Sequence, residues 1–330
     1  DGNGFVDGNR LKFSGGEHVV LGGTEGNDRM FGDKGIDTLW GDGGNDYLNA
    51  GMDSDQVFGG EGDDIIEDPF GDDFLRGEAG NDVVVNSAGL DILFGGTGND
   101  FIMGVTDTNE VFAGEGNDFI LGGTAPDILL GNEGDDWIEG GEGFDGLSGE
   151  NSQLFFNSTI IGHDILNGQG NDTDYDGENG DDIMVQSVGI QRNNGMEGFD
   201  WAIHKGDPNG ADSDLGIRPF DTRQALILRD RFDSVEGLSG WSNDDILTGA
   251  SKLIIGEAFT DQLTQAGVDR IDGLRDTLNV ATGLPTDVVF ESDINGGGEI
   301  ILGGAGSDRI RGNLGNDILD GDAWLNVRIS

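Results

Sequence analysis

The sequence predicts an all-β fold in which the chain coils as a flattened parallel spiral, 18 residues to the coil. Three observations predict it: an acid every nine residues, an apolar residue two places after each acid, and Gly-rich turns between them. Steps of nine from Asp28 meet Asp37, Asp46, Asp55, Asp64, Asp73, Asp82, Asp91, Asp100, Asn109, Asp118, Asp127, Asp136 and Asp145. The one departure from Asp is Asn, its nearest polar relative. Two places on stand Met30, Leu39, Leu48, Val57, Ile66, Leu75, Val84, Leu93, Ile102, Val111, Ile120, Leu129, Ile138 and Leu147, all aliphatic or Met, in a chain that is 35% hydrophobic.

Nine residues are too few for two packed helices. They suit a three-residue strand with its middle residue inward, followed by a six-residue turn. Gly in that turn permits positive φ and close backbone approach. Two units make one coil, and successive coils stack as parallel strands about 4.8 Å apart. Units 18 apart then share one edge of the spiral.

Composition narrows the function. The chain has 330 residues, 63 of them Gly, with 65 Asp and Glu against 17 Lys and Arg, a net charge of −48. So acidic a surface excludes nucleic acid and anionic lipid as partners, since both require basic residues. The absence of Cys excludes disulfides, zinc-thiolate sites, iron–sulfur clusters and thiol nucleophiles. No apolar run reaches the roughly 18 residues of a membrane span, and no signal peptide opens the chain. With Asp1 following no Met, the chain reads as a piece of something longer. Low hydrophobicity with high charge also marks disordered chains, but the regular spacing of acids and apolar residues argues for order.

Gly59-Gly60-Glu61-Gly62-Asp63-Asp64-Ile65-Ile66 and Gly95-Gly96-Thr97-Gly98-Asn99-Asp100-Phe101-Ile102 fit the pattern GGxGxDxUx. The chain therefore resembles the RTX (hemolysin-type) calcium-binding nonapeptide-repeat proteins, over residues 18–148 and in shorter stretches later. The resemblance implies a right-handed parallel β-roll with Ca²⁺ between stacked turns. It also implies type I secretion to an extracellular or cell-surface location.

The two edges read unequally. On one, the turns ending at Asp28, Asp46, Asp64, Asp82, Asp100, Asp118 and Asp136 all keep Gly at the fourth place. On the other, ending at Asp37, Asp55, Asp73, Asp91, Asn109, Asp127 and Asp145, that Gly is lost at several places and Pro69 and Pro126 intrude. Ca²⁺ takes six to eight oxygens, roughly, so the expectation is a full Ca²⁺ ladder on the first edge and a broken one on the second. Unit charges about 4 Å apart interact by ~1–4 kcal/mol. Stacked carboxylates without a counter-ion would therefore oppose folding, and a Ca²⁺-driven folding switch is expected.

Four regions follow: an acidic leader at 1–17, the main roll at 18–148, an irregular continuation at 149–220, and a second short roll at 221–330 with a helical insertion near 257–278. Asn151 to Ile161 reads as an inserted loop. The nine-step returns at Asp164, Asp182 and Asp200, with Leu166, Met184 and Ala202 inward. Between them, Asp172, Asp174 and Asp176 form D-x-D-x-D-G, the first half of an EF-hand-like loop whose twelfth position is Ile183 rather than Glu. Asp207, Asn209, Asp212 and Asp214 suggest another acidic loop, and Asp1-Gly2-Asn3-Gly4 a truncated one. Gln224 to Leu228 reads as a short strand. Glu236, Asp245, Glu299, Asp308 and Asp317 resume the nine-step, with Leu238, Leu247, Ile301, Ile310 and Leu319 inward. Phe259, Leu263, Ile271 and Leu274 have near-helical spacing, with Gly267 dividing two short helices. Val235 to Gly240 and Asp320 to Arg328 resemble the RTX region attached to bacterial animal-type haem peroxidases.

Two outward rows at 18-residue spacing are apolar: Trp40, Phe58, Phe94, Phe112 and Leu130, interrupted by Arg76, and Ile65, Val83, Phe101, Phe119 and Trp137. They suggest faces covered by other domains or subunits of the parent protein. No catalytic constellation is legible. His18, His163 and His204 are scattered, and no nucleophile elbow or dinucleotide loop is present. Three functions fit: a Ca²⁺-binding roll of a large secreted bacterial protein, a Ca²⁺-stiffened adhesin or S-layer component, or part of a secreted enzyme, with a haem peroxidase as the parent among the possibilities.

Overall fold

The computed structural model describes residues 9–150, 161–170, 172–205, 207–223, 226, 228–250, 262–263, 265–270, 274–276, 290–291, 298–315 and 317–325. The chain is an all-β parallel solenoid with almost no helix, dividing into two units, Asp1–Leu154 and Phe155–Ser330.

In the first unit the strands alternate between two parallel sheets. One begins Arg10–Lys12, Arg29–Lys34, Tyr47–Met52, Ile65–Asp68 and continues through Trp137–Gly141; the other runs from Val20–Thr24 and Thr38–Gly43 to Asp145–Ser148. Register fixes the coil at 18 residues: Met30 aligns with Leu48, Leu93 with Val111, Ile102 with Ile120. The first coil is one residue longer, with Arg10 opposite Arg29.

All fourteen inward residues from Met30 to Leu147 are buried, thirteen of them completely. Alternation along a strand leaves one side chain per three-residue strand to fill the space between the sheets. Each fully buried aliphatic side chain contributes about 1.5–3 kcal/mol.

The outward rows stack on themselves. Trp40 lies on Phe58 at 4.0 Å between ring centroids, Phe94 on Phe112 at 5.0 Å, and Phe101 on Phe119 at 5.6 Å. Where Arg76 interrupts the row, Phe74 leans across at 6.1 Å from Phe58 and 5.4 Å from Phe94, while the Arg76 guanidinium lies over Phe94. The rings of each row thus pack on one another.

The second unit carries a parallel sheet of Ile165–Asn167, Ile183–Val185, Trp201–Ile203, Gly237–Ser239, Ile300–Leu302 and Ile318–Asp320. Gly237–Ser239 pairs with Trp201–Ile203, so strands of the 221–330 region stack on those before them. Leu166, Met184, Ala202, Leu238, Leu247 and Ile301 are fully buried. Leu319 differs: it aligns with Ile301 but is 46% exposed, because its strand is the last of the sheet. Ile310 is only half-buried.

The helical insertion is present as Gln265–Arg270 and a single turn at 274–276, with Leu263 and Leu274 buried. Gly267 does not divide two helices. It lies inside Gln265–Arg270, where a Cβ would collide with Asp181. Of the expected strand from Gln224 to Leu228, residues 226 and 228 lie in turns and Leu228 is exposed; the rest lies outside the described residues, as do Asp1 to Gly4, residues 151–160, Phe259 and Ile271.

Ile102→Ala should lower stability by about 2–5 kcal/mol, since two neighbouring coils hold the cavity open. Urea denaturation in saturating calcium measures it.

Candidate metal centre

Every nine-step residue from Asp28 to Asp145 is at most 3% exposed. One carboxylate oxygen of each is held across coils. The N–H of Asp28 donates to Asp46 Oδ1 at 2.7 Å, Asp46 to Asp64 at 2.7 Å, Asp64 to Asp82 at 2.8 Å, Asp82 to Asp100 at 2.7 Å, Asp100 to Asp118 at 2.7 Å and Asp118 to Asp136 at 2.8 Å. The second edge repeats this from Asp37 to Asp55, Asp55 to Asp73, Asp73 to Asp91, Asn109 to Asp127 and Asp127 to Asp145. The column of acids is therefore as regular on the second edge as on the first, apart from Asn109.

The other oxygen is the informative one. Oδ2 of Asp46, Asp64, Asp82, Asp100 and Asp118, and of Asp37, Asp55, Asp73, Asp91, Asp127 and Asp145, is buried without a hydrogen-bond donor. A buried anionic oxygen left so is costly unless a cation meets it. The first turn is different: Asp28 Oδ2 accepts the Thr24 N–H at 2.6 Å.

The first residue of each turn closes the cradle. A Cβ on Gly59 would collide with Asp64 Oδ2 and the Gly77 carbonyl oxygen, and one on Gly95 with Asp100 Oδ2 and the Ala113 carbonyl oxygen. A carboxylate of one turn and a carbonyl of the next thus converge beside a residue that is Gly or Ala in every first-edge turn. These are the hard oxygen donors that Ca²⁺ takes.

Backbone conformation separates the edges. In the first-edge turns ending at Asp46, Asp64, Asp82, Asp100, Asp118 and Asp136, both the second and the fourth residue have positive φ, as at Gly96 (132°) and Gly98 (125°). Asp42, Glu78 and Asn132 hold the second position at 71°, 80° and 74°, a conformation that costs non-Gly residues of order 1–3 kcal/mol. On the second edge only the turns ending at Asp37, Asp55 and Asp145 do this. The break thus lies in the turns between, not in the column of acids. At Asn109 the amide nitrogen stands near Gly104, where other turns set a carboxylate oxygen.

The residue before each first-edge Asp builds an outer ladder. Asn81 N–H donates to Asp63 Oδ1, Asn99 to Asn81 and Asn117 to Asn99, each at 2.9 Å. The recurring Asn-Asp and Asp-Asp pairs announce it in the sequence, and attention to the sixth turn position alone passed over it. On the second edge Ile36, Leu90, Pro126 and Phe144 interrupt this ladder, which survives in a short run where the Leu90 N–H donates to Asp72 Oδ1 at 3.0 Å.

In the second unit the cross-coil bonds recur from Asp164 to Asp182 at 2.8 Å, Asp182 to Asp200 at 2.9 Å and Asp245 to Asp308 at 3.0 Å, and from Glu299 to Asp317 at 3.3 Å. Turns ending at Asp182, Asp200, Asp308 and Asp317 have the doubled positive φ.

The D-x-D-x-D-G stretch is not a loop. Thr173–Asp176 is a strand. Thr173 takes the place of the nine-step acid and Tyr175 that of the inward aliphatic, both buried. Alternation along the strand puts Asp174 and Asp176 outward, where Asp174 pairs with Arg192 and Asp176 accepts from Asn194. Asp172 accepts the Ile190 N–H at 2.8 Å. The three carboxylates therefore do not converge. Asp212–Asp214 is likewise a strand, with Asp212 engaged by Arg229. His204 is buried against Ser213 Oγ at 2.9 Å, and burial pushes its imidazole down to about 4.

Residues 22–57, 58–93, 86–111, 112–147 and 293–323 match the family described as RTX calcium-binding nonapeptide repeat (4 copies). The chain carries RTX calcium-binding repeats. These repeats bind Ca²⁺ at multiple sites, and their β-roll is a structural rather than a catalytic unit. The stretch at 293–323 matches the RTX repeat itself, which leaves the peroxidase-associated resemblance without support. No curated protein matches the chain. Among the described residues, no helix is long and apolar enough to cross a membrane.

Burial raises the carboxylates of the RTX ladder: Asp64, Asp82 and Asp118 to about 7, Asp46 and Asp100 to about 6, and on the second edge Asp55 and Asp91 to about 7. Without metal, the folded chain holds protons that the unfolded chain has already released above pH ~4. Stability of the metal-free roll must therefore fall as pH rises from about 4 through about 7. In excess chelator, circular dichroism should show more strand at pH 4.5 than at pH 8, and saturating Ca²⁺ should abolish that difference.

Proposed function

We propose that the chain is the calcium-folded roll of a larger secreted bacterial protein, a scaffold that orders only where Ca²⁺ is abundant. The carrying observation is the column of buried Oδ2 atoms without donors, which makes the metal-free fold electrostatically unfavourable. The residues that hold the ions are the stacked Asp residues, with carbonyls of the adjoining turns as co-ligands. When bound, Ca²⁺ neutralises the column and ties each turn to the next. Extracellular modules bind at roughly 0.1–1 mM, so such a chain would stay unfolded during type I export and fold outside. The rest of the parent protein, an enzyme or not, would be carried by this roll.

A second reading, a Ca²⁺-stiffened adhesin or surface array, draws on the outward rows, where Trp40 and Ile65 are each 42% exposed. The stacking along those rows favours the first reading, because the rings already pack within the chain. Strict monomers in saturating Ca²⁺ would rule out self-assembly of this segment.

Calcium titration followed by circular dichroism should convert a disordered chain into strand; unchanged strand content in excess chelator would reject the folding switch. The edges should also respond unequally. Asp100→Asn should raise the Ca²⁺ midpoint several-fold, whereas Asp91→Asn, in a turn without the doubled positive φ, should shift it little.

A further inference from the structure

The break in the second edge of the first unit begins at the turn 68–73, and that turn carries an acid where the other thirteen turns of the unit have Gly, Ala or Asn at the first place. Pro69 follows it. Its ring fixes φ near −65°, so the second position cannot take the positive φ of the ladder turns, and Gly71 does not take it either. The turn thus gives up the ladder's backbone geometry and brings in a side chain.

Asp68 is 1% exposed, and neither of its oxygens makes a hydrogen bond of ordinary geometry, although the backbone N–H groups of Phe70 and Gly51 lie close enough to act on the carboxylate. One oxygen each from Asp55, Asp68 and Asp73 lies within 4.8 Å of the others. Oδ1 of Asp55 and of Asp73 are taken by the N–H groups of Asp37 and Asp55, at 2.7 and 2.8 Å. That leaves Oδ2 of both and the two oxygens of Asp68, four buried carboxylate oxygens without a hydrogen bond of ordinary geometry. The ladder seats combine carboxylate with backbone carbonyl; this pocket combines three carboxylates. Such a donor set suits a hard cation, with charge count rather than backbone shape setting the affinity.

We infer that Asp55, Asp68 and Asp73 form a three-carboxylate cation site, one that takes the place of a ladder seat where the repeat's own geometry fails. The inference rests on the calcium reading of the ladders, and the two can fail separately. Equilibrium dialysis of the full chain in saturating Ca²⁺, with the ion counted by elemental analysis, should give one ion fewer for Asp68→Ala and for Asp68→Asn than for the wild type, with strand content unchanged by circular dichroism. No bound calcium in the wild type overturns the ladder reading. Equal, non-zero counts in the wild type and the variants overturn this site alone. Should the variants not fold, crystals of the wild-type chain grown with Ca²⁺ decide the matter: anomalous density among the three carboxylates is expected, and its absence beside occupied ladders overturns the site.

Discussion

The structure depends on carboxylates stacked in buried columns, with one oxygen tied to the preceding coil and, from Asp46 to Asp118 on the first edge, the other buried without a proton donor. Water cannot reach these oxygens to solvate them. Hydrophobic filling between the sheets is too thin to offset many such charges, because each short strand buries only one side chain toward the core. A cation between coils removes the repulsion and adds attraction at the same point. On the proposed reading, metal is part of the fold's cohesion, as a disulfide or a large apolar core is in other chains.

Much of this was legible before any coordinates. The spacing of Asp and of the residue two places on fixes strand, turn, coil length and inward face, because a period-two strand and a fixed turn leave no freedom of register. Leu48, Ile66 and Val84 are buried for the reason their positions state. The contrast between edges was legible too, but its cause was not. Loss of Gly suggested missing ligands, whereas the acids themselves remain in column and the departure lies in backbone dihedrals such as those at 68–73 and 104–109.

Where a local motif and the period disagree, the period governs. Asp172 to Gly177 looks like a calcium loop when taken alone, yet counting nine from Asp164 places Thr173 and Tyr175 at the buried positions. The same count would have singled out Asp68, at the first place of its turn, as an acid where a small residue belongs. The helical region around Gly267 has no such period, and there the pattern of four apolar residues did not reveal that a glycine can lie within a helix that packs closely against Asp181.

Within the two Asp columns the carboxylate hydrogen bonds all run one way, opposite to those of the outer Asn ladder. A later coil's carboxylate accepts and an earlier coil's amide donates, from Asp28 to Asp136 on one edge and from Asp37 to Asp145 on the other, save the step into Asn109. Each column consequently has polarity. Cutting between coils would leave, at each column, a carboxylate in want of a donor on the later fragment and an N–H in want of an acceptor on the earlier one. What terminates a column must therefore be a donor where the coils begin and an anion or a carbonyl where they end.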